Sequence, residues 1–191
     1  MKPTQVIPQG GKNPAAVIGP CRLSYVFLTE PYTPQGATSG KYMATLLIPK
    51  DNVIAVKAIK ELIEQAKSYG KAAKWGNIIP RNCGIPLRDG DEKEDPIYAG
   101  HYYINVSSKD RIPVYSKDNL PIMDREQLYS GMWGNVLVAF VPYSAAGNNG
   151  VGAYMNAVQK VADDERFGGT TVSANVFGAI AVDDGDDDDD L

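Results

Sequence analysis

The sequence GNVLVAFVPYSAAGNNGVGAYMNAVQKV occupies residues 134–161. Its first ten residues are largely apolar and β-branched, which is typical of a strand that packs in a core. The segment AAGNNG at 145–150 is rich in Gly and Asn, the residues that favour the tight turn of a β-hairpin. We therefore predict two antiparallel strands, over 134–143 and 151–161, joined by a hairpin turn.

Other strands are predicted where β-branched and aromatic residues concentrate. These segments cover residues 15–28, 41–49, 101–108 and 111–115. In the first of them, Gly19-Pro20 predicts an edge or a bulge, because proline cannot donate a ladder hydrogen bond. Alternation along the same segment is expected to place Leu23, Tyr25 and Phe27 on one face.

One amphipathic helix is predicted from Asp51 to about Tyr69. Asp51 is a good N-cap residue, and Gly70 is expected to end the helix. An apolar stripe at helical spacing should pack on the sheet, and it consists of Val56, Ile59, Leu62, Ile63 and Ala66. Residues 71–100 contain too many Pro and Gly for regular structure and are expected to form a long loop, a feature that is often functional.

Five or six strands, a helix between the second and third, and long loops indicate a mainly β protein. This outline fits the five-stranded Greek-key barrel called the OB-fold, with one inserted helix. A small sandwich built from the same strands would produce a similar pattern and is the alternative.

The chain combines a mildly basic body with an acidic end. It has 19 Lys and Arg against 23 Asp and Glu, and seven of those acids are in the last nine residues, DDGDDDDDL. Without these seven, 16 acids remain and residues 1–182 carry a formal charge of +3. We predict a flexible arm over 1–14, one domain over 15–165, and a linker with a disordered acidic tail over 166–191, because like charges cannot order themselves by packing.

Several classes of protein are disfavoured by the sequence. The longest apolar run, VLVAFV at 136–141, is far shorter than the ~20 residues of a membrane span. No apolar stretch follows Lys2, so a signal peptide is not expected. Cys21 and Cys83 stand alone, which argues against a disulfide framework or a structural zinc site and favours a reducing, cytoplasmic setting.

An enzyme is also disfavoured. His101 is the single histidine, and no serine in an elbow motif lies near it. The acidic segment RDGDEKED at 88–95 lacks the glutamate that closes a calcium loop, so a solvated turn is the better interpretation. The segment GNNGVG precedes a strand rather than a helix and is not a phosphate loop. We expect no catalytic activity, no metal and no cofactor.

Basic and aromatic residues alternate along the chain, as they do in proteins that hold single-stranded nucleic acids. Basic side chains in such proteins follow the phosphates, and aromatic rings stack on bases. The candidate binding residues are Lys71, Lys74, Trp75, Arg81, Arg88, Tyr103, Lys109, Arg111, Tyr154 and Lys160.

Strand alternation refines this choice. In HYYINVS, Tyr103 is predicted on the polar face as a stacking residue, and Tyr102 on the apolar face as a core residue. In AYMNAVQK, one face is predicted to carry Tyr154, Asn156, Val158 and Lys160. The alternative for each tyrosine is a packing role with a solvated hydroxyl.

Three segments, IPLRDGDEKEDPIYAGHYYINVSSKDRIPV, LYSGMWGNVLVAFVPY and GNNGVGAYMNAVQKV, resemble the bacteriophage single-stranded DNA-binding protein family. The resemblance covers about residues 15–165. It implies an OB-fold, sequence-independent binding of single-stranded DNA in phage replication or recombination, and a place in the cytoplasm of the infected bacterial host. It also implies an acidic C-terminal tail, although tails of this type commonly end in an aromatic residue and this one ends in Leu191.

The acidic tail is expected to recruit replication or recombination proteins and to compete with DNA for the groove. Its candidate partner-binding residues are Asp186, Asp187, Asp188, Asp189, Asp190 and Leu191. The alternative function is a phage accessory protein that mimics DNA through this tail and does not bind DNA itself.

Overall fold

The computed structural model describes residues 1–168, which form eight strands, one α-helix and two short 3₁₀ helices. The strands are β1 (Gln5–Gln9), β2 (Ala15–Tyr32), β3 (Lys41–Pro49), β4 (Leu87–Asp89), β5 (His101–Ser108), β6 (Val114–Tyr115), β7 (Trp133–Ala145) and β8 (Asn148–Ala162). The helix α1 covers Val53–Ala73, and the 3₁₀ helices cover Pro96–Tyr98 and Arg125–Gln127. Within this part of the chain, no helix is long and apolar enough to span a membrane.

Five strands close into a barrel in the order β2-β3-β5-β8-β7, with β7 returning to β2. All neighbours are antiparallel except β5 and β8, which meet in parallel where Ser107 faces Tyr154. The predicted hairpin is confirmed as β7 and β8, paired from Trp133 to Ala162. This is the topology of the OB-fold, so the predicted fold class is confirmed.

The barrel interior is filled by alternate residues of its strands. Along β7, buried residues alternate with half-buried ones without interruption from Gly134 to Pro142. Val136, Val138 and Phe140 of this strand are completely buried. Ile104 and Val106 of β5 are buried in the same core. Apolar burial of this kind supplies most of the favourable free energy of folding, at roughly 25 cal/mol per Å² of apolar surface.

Helix α1 packs its predicted apolar stripe into this core, but its ends differ from the prediction. Asn52, not Asp51, is the N-cap, and its Oδ1 accepts a hydrogen bond of 3.2 Å from the amide of Ala55. The helix also continues through Gly70 to Ala73. A Cβ at Gly70 would lie 2.6 Å from Pro142 and 2.8 Å from the ring of Trp75, so this position is a close packing contact and not a stop.

The N-terminal arm is more ordered than the sequence analysis predicts. Residues Gln5–Gln9 form strand β1, which pairs antiparallel with β2. The hydroxyl of Thr4 donates to the carbonyl oxygen of Pro20 (2.9 Å), and Nδ2 of Asn52 donates to the carbonyl oxygen of Thr4 (2.7 Å). Val6 packs against the core. The arm is therefore joined to the barrel by a sheet edge and a helix cap.

Two irregularities bend the long strand β2. The predicted bulge at Gly19-Pro20 is confirmed, because the register with β7 shifts between Ile18 and Cys21. A second shift, between Ser24 and Phe27, interrupts the pairing with β3. The predicted common face is therefore wrong: Leu23 is completely buried, whereas Tyr25 is 52% exposed and has a φ of 49°.

The chain beyond β8 remains attached to the barrel as far as the described residues extend. Arg22 forms an ion pair with Asp164 (2.9 Å), and Nε1 of Trp133 donates to the same carboxylate (2.7 Å). The amide of Phe167 donates to the carbonyl oxygen of Ser130 (2.9 Å). Within the predicted linker and tail over 166–191, Phe167 thus contacts the barrel, and residues 169–191, which include the candidate partner-binding residues 186–191, lie outside the described residues.

Candidate nucleic-acid interface

A groove of about 510 Å³ crosses the outer wall of the barrel at β3, β5 and β8. The segment around Gly84 to Pro86 and strand β4 form one side of the groove. Its lining residues are Lys41, Gly84, Ile85, Pro86, Arg88, Asn105, Ser107, Tyr143, Val151, Gly152, Ala153 and Tyr154. This is the wall that OB-folds use for oligonucleotides, so its position follows from the topology.

The pleat of β5 sets the spacing of the polar side chains along the floor. Asn105 and Ser107 are two residues apart and therefore point outward together, about 6.7 Å from each other along the strand. Ser107 pairs with Met43 on β3 and with Tyr154 on β8, so three strands meet there. The alternation that buries Ile104 and Val106 thus presents hydrogen-bonding groups to the groove.

The groove wall is held by a contact between the long loop and the β7–β8 hairpin. The amide of Gly84 donates to the carbonyl oxygen of Asn149 (2.9 Å), and the amide of Val151 donates to the carbonyl oxygen of Gly84 (2.9 Å). The backbones approach so closely that a Cβ at Gly150 would lie 2.7 Å from that Gly84 oxygen. The loop over 74–86 is therefore fixed to the barrel at one end of the groove.

An aromatic ring is available at this wall. Tyr154 is 44% exposed. Its ring lies so close to the backbone of Gly152 that a Cβ at Gly152 would be about 3.1 Å from the ring. Tyr143 lines the same wall from β7. An exposed ring beside bare backbone can accept the flat face of a base. The predicted stacking role of Tyr154 stays a prediction.

The groove carries positive charge without opposing acids. Lys41 and Arg88 line it and are exposed, no carboxylate lines it, and neither cation forms an ion pair within residues 1–168. A larger hollow of about 970 Å³ lies between α1 and Tyr102, but Glu61 and Glu64 line it together with lysines. The smaller groove is thus the better site for a polyanion.

The acidic turn next to the groove forms ion pairs with a lysine of this chain. Lys50 contacts Asp89 and also lies 2.6 Å from Oδ2 of Asp91. Hydrogen bonds to these carboxylates raise the pKa of Lys50 to about 12, and the same bonds lower the pKa of Asp89 and Asp91. Residues 1–168 contain no group of three or more acidic, His or Cys side chains that could hold a metal ion.

The structure brings together a subset of the predicted binding residues. Arg88 and Tyr154 line the groove, and Lys109 follows β5 directly and is exposed. Other predicted bases are exposed but do not line it, namely Lys71, Lys74 and Arg81. Arg111 lines a separate hollow with Pro113 and Ile122.

The predicted roles of the two β5 tyrosines need correction. Tyr103 is only 7% exposed, because the 3₁₀ helix covers it and the ring of Tyr98 meets it edge-on at 5.2 Å. The ammonium of Lys93 lies 4.8 Å from the Tyr103 ring centre and 4.0 Å from that of Tyr98. Tyr102 is half-buried, with Lys50 and Lys60 near its ring. Tyr103 is therefore not exposed for stacking, and Tyr102 is at the edge of the core.

Trp75 is half-buried instead of standing free in a basic loop. Its Nε1 donates to the carbonyl oxygen of Tyr143 (3.1 Å), and its ring lies beside Gly70 at the end of α1. These contacts join the helix, β7 and the long loop. The structure thus gives Trp75 a packing role, and the predicted stacking role stays a prediction.

Lys160 is separated from Tyr154 by a bulge. The register between β7 and β8 shifts between Leu137 and Val138, so Val158 turns inward and is buried. The predicted common face is therefore wrong. The Lys160 side chain is 12% exposed, forms an ion pair with Asp163 (2.6 Å) and donates to the carbonyl oxygen of Gln127 (2.8 Å).

Lys41, Asn105 and Tyr143 line the groove but are not among the predicted binding residues. The alternation of HYYINVS indicates a polar outer face for Asn105, and this signal was available in the sequence. No comparable signal exists for Lys41, which opens strand β3, or for Tyr143, because their positions depend on the closure of the barrel.

Comparisons with known proteins agree with this geometry. The family model described as "Enterobacter phage Enc34, ssDNA-binding protein" matches residues 15–191. "Putative protein p50" of Acyrthosiphon pisum secondary endosymbiont phage 1 is 34% identical over an alignment 172 residues long, and the match covers 84% of this chain and 91% of that protein.

Solved structures share the fold. The single-stranded DNA-binding protein from bacteriophage Enc34 in complex with ssDNA has a TM-score of 0.71 at 24% identity, over 86% of this chain and 99% of that one. The single-stranded DNA-binding protein gp2.5 of bacteriophage T7 has a TM-score of 0.55 at 16% identity, over 95% and 97% of the two chains. From the family match and the identity with p50, the chain belongs to the Enterobacter phage Enc34 ssDNA-binding protein family.

Proposed function

We propose that this protein binds single-stranded DNA without sequence preference and acts in phage DNA replication or recombination, without catalysing a reaction. The observation that carries the proposal is the groove on the β3–β5–β8 wall, where Lys41, Arg88 and Tyr154 meet and no carboxylate of residues 1–168 lines the groove. Membership of the Enc34 family supports it, and a phage replication protein acts in the cytoplasm of the infected bacterial host.

The groove residues divide the work of binding by their chemistry. Lys41 and Arg88 neutralise phosphates, with Lys109 as a further cation at the end of β5. Tyr154 stacks on a base, and stacking tolerates any base because every base has a π-face. Asn105 and Ser107 add hydrogen bonds from the floor. Phosphate contacts and stacking carry no information about base identity, so binding is expected to be independent of sequence.

The acidic tail has a regulatory role in this proposal. A −7 segment tethered near a basic groove acts as a weak imitation of a polyphosphate and competes with DNA. Bound DNA then releases the tail to recruit a replication or recombination protein.

A titration of labelled oligonucleotide against the full chain tests the function. Affinity is expected to fall with salt, with a log–log slope of about −0.7 for each phosphate contact, and to be lower for duplex than for single strand. A chain lacking residues 183–191 is expected to bind more tightly at low salt, with the gain shrinking as salt screens the tail.

Two results would reject these proposals. A protein that ignores the oligonucleotide but captures a basic partner through its tail would be a DNA mimic. Equal affinity of the full and shortened chains at low ionic strength would remove the competition role of the tail and leave the DNA-binding role in place.

A further inference from the structure

Tyr25 projects from the barrel wall in an unusual backbone conformation. It lies on β2 inside the register shift between Ser24 and Phe27, and its φ of 49° is in the left-handed region that side chains other than Gly, Asn and Asp rarely adopt. The ring is 52% exposed, although the neighbouring Ser24 is buried. Strained backbone conformations concentrate at binding and active sites, so an exposed aromatic residue in such a conformation indicates a candidate ligand contact.

Tyr25 belongs to a cluster that continues the groove. The ammonium of Lys93 lies 5.9 Å from the centre of the Tyr25 ring and also faces the rings of Tyr98 and Tyr103. Tyr103 is the cross-strand partner of Arg88, which lines the groove. The outer wall therefore runs from Tyr154 through Arg88 to Lys93 and Tyr25.

At the Tyr25 end of this wall, residues 1–168 form a hollow of about 220 Å³, lined by Tyr25, Ile97, Phe167 and their neighbours. Like Lys41 and Arg88, Lys93 is exposed and forms no ion pair within residues 1–168. An aromatic face, an apolar side and an ammonium that has no ion-pair partner within residues 1–168 are thus present together beyond the groove.

We propose that Tyr25 is a second stacking residue, which binds one base of the single strand where the strand leaves the groove, with Lys93 beside the adjoining phosphate. This inference rests on the proposed function and extends its site. In it Tyr25, not Tyr103, is the stacking ring at this end of the wall.

A base fits this subsite better than an acidic peptide does. Asp95 lines the hollow, and Glu92 and Glu94 flank Lys93 in the sequence. These carboxylates weaken the attraction for a peptide whose affinity depends on charge. Stacking on a ring is largely insensitive to them, so the subsite contributes chiefly a base contact.

The test compares two substitutions on the full chain. Tyr25→Asn removes the ring and suits the left-handed backbone, so the fold is retained. Tyr25→Phe keeps the ring. Affinity is measured by fluorescence anisotropy with oligothymidylates of about 6 and about 16 nucleotides, lengths within the range of OB-fold site sizes. Tyr25→Asn is expected to weaken binding of the longer strand by about tenfold, the lower part of the range for one base–aromatic contact.

The remaining arms separate the possible failures. Tyr25→Phe should bind like the wild type. In Tyr25→Asn, the shorter strand should lose less affinity than the longer one, and the salt slope should be unchanged. Lys93→Ala should make the log–log salt slope less steep by about 0.7, whereas the exposed control Lys117→Ala should leave the slope unchanged. Wild-type affinity of Tyr25→Asn for the longer strand would overturn this subsite alone. Absence of binding by the wild type would overturn the proposed function.

Discussion

The hydroxyl of Thr45 donates a hydrogen bond of 2.8 Å to Oδ1 of Asn105, across the β3–β5 ladder in the floor of the groove. Thr45 is buried and Asn105 is exposed. The bond occupies the amide oxygen and leaves the Nδ2 group of Asn105 to donate toward a ligand. The floor thus offers hydrogen-bond donors, which suit phosphate oxygens and base carbonyls.

The orientation of this amide should affect DNA affinity. Thr45→Val keeps the shape of the side chain but removes the donor, and it is expected to weaken binding a few-fold, while Thr45→Ser should restore it. Asn105→Asp replaces the donor with a negative charge and should weaken binding more than Asn105→Ala does. Anisotropy titrations measure both series. Equal affinities of Asn105→Asp and Asn105→Ala would contradict the contact.

The cations of the groove should set the salt dependence. Arg88→Ala and Lys41→Ala are each expected to reduce the log–log salt slope by about 0.7, because each removes one phosphate contact. Lys117→Ala, on an exposed turn away from the groove, is the matched control and should leave the slope unchanged. Titrations at several salt concentrations give the slopes, and a similar loss in the control would show that the cations act only through net charge.

Trp75 should contribute to stability. Its ring packs beside Gly70, and its Nε1 donates to the carbonyl oxygen of Tyr143. Trp75→Ala is expected to lower the free energy of unfolding by about 2 kcal/mol, less than for a fully buried ring, and Trp75→Phe by less. Urea denaturation measures the change. If Trp75→Ala unfolds like the wild type but binds DNA less tightly, the predicted stacking role would be the correct one.

The contact between Gly150 and Gly84 should hold the groove wall. Gly150→Ala places a Cβ 2.7 Å from the backbone oxygen of Gly84, which no rotamer can relieve, so the loop must move. We expect a loss of about 1–3 kcal/mol in the free energy of unfolding. Gly10→Ala is a control, because Gly10, like Gly150, does not have a positive φ but has open space around it. Faster amide exchange at Gly84 and Val151 in Gly150→Ala, and not in Gly10→Ala, would confirm the contact.

The Lys50–Asp89–Asp91 group should give a small pH dependence of stability. The pKa of each carboxyl is lowered, so its contribution is present above about pH 4 and is lost as the pH falls through the folded-state pKa. The pKa of Lys50 is raised to about 12, so its contribution is lost only as the pH rises toward that value. Lys50→Met should therefore be less stable than the wild type near pH 7, with a smaller difference at about pH 3. A constant difference across this range, measured by urea denaturation, would exclude the ion pairs as the cause.

The local pattern of residue types was enough to predict most of the strands. The bounds predicted for β3 and β5 agree with the structure, and the hairpin of β7 and β8 lies where the AAGNNG turn predicts it. Alternation also identified the inward residues Ile104 and Val106. Such features can be predicted because side-chain period and turn chemistry act between neighbours in the sequence.

The exposure of the outward residues was decided by tertiary structure. Tyr103 points away from the core as predicted, but the chain folds back just before β5, and Tyr98 of the 3₁₀ helix there covers it. Bulges changed the face of Tyr25 and of Lys160, since one extra residue reverses the alternation that follows it. Strand β1 forms because it pairs with the edge of β2 in the folded barrel.

The sequence by itself therefore determined the fold, two residues of the groove wall, Arg88 and Tyr154, and the contrast between a basic body and an acidic end. Only the closed barrel brought Lys41, Asn105 and Tyr143 beside them. The physical reason is that periodicity reports which side of a strand faces the core. Which outward side chains meet, and which are covered, depends on contacts between residues that are far apart in the chain.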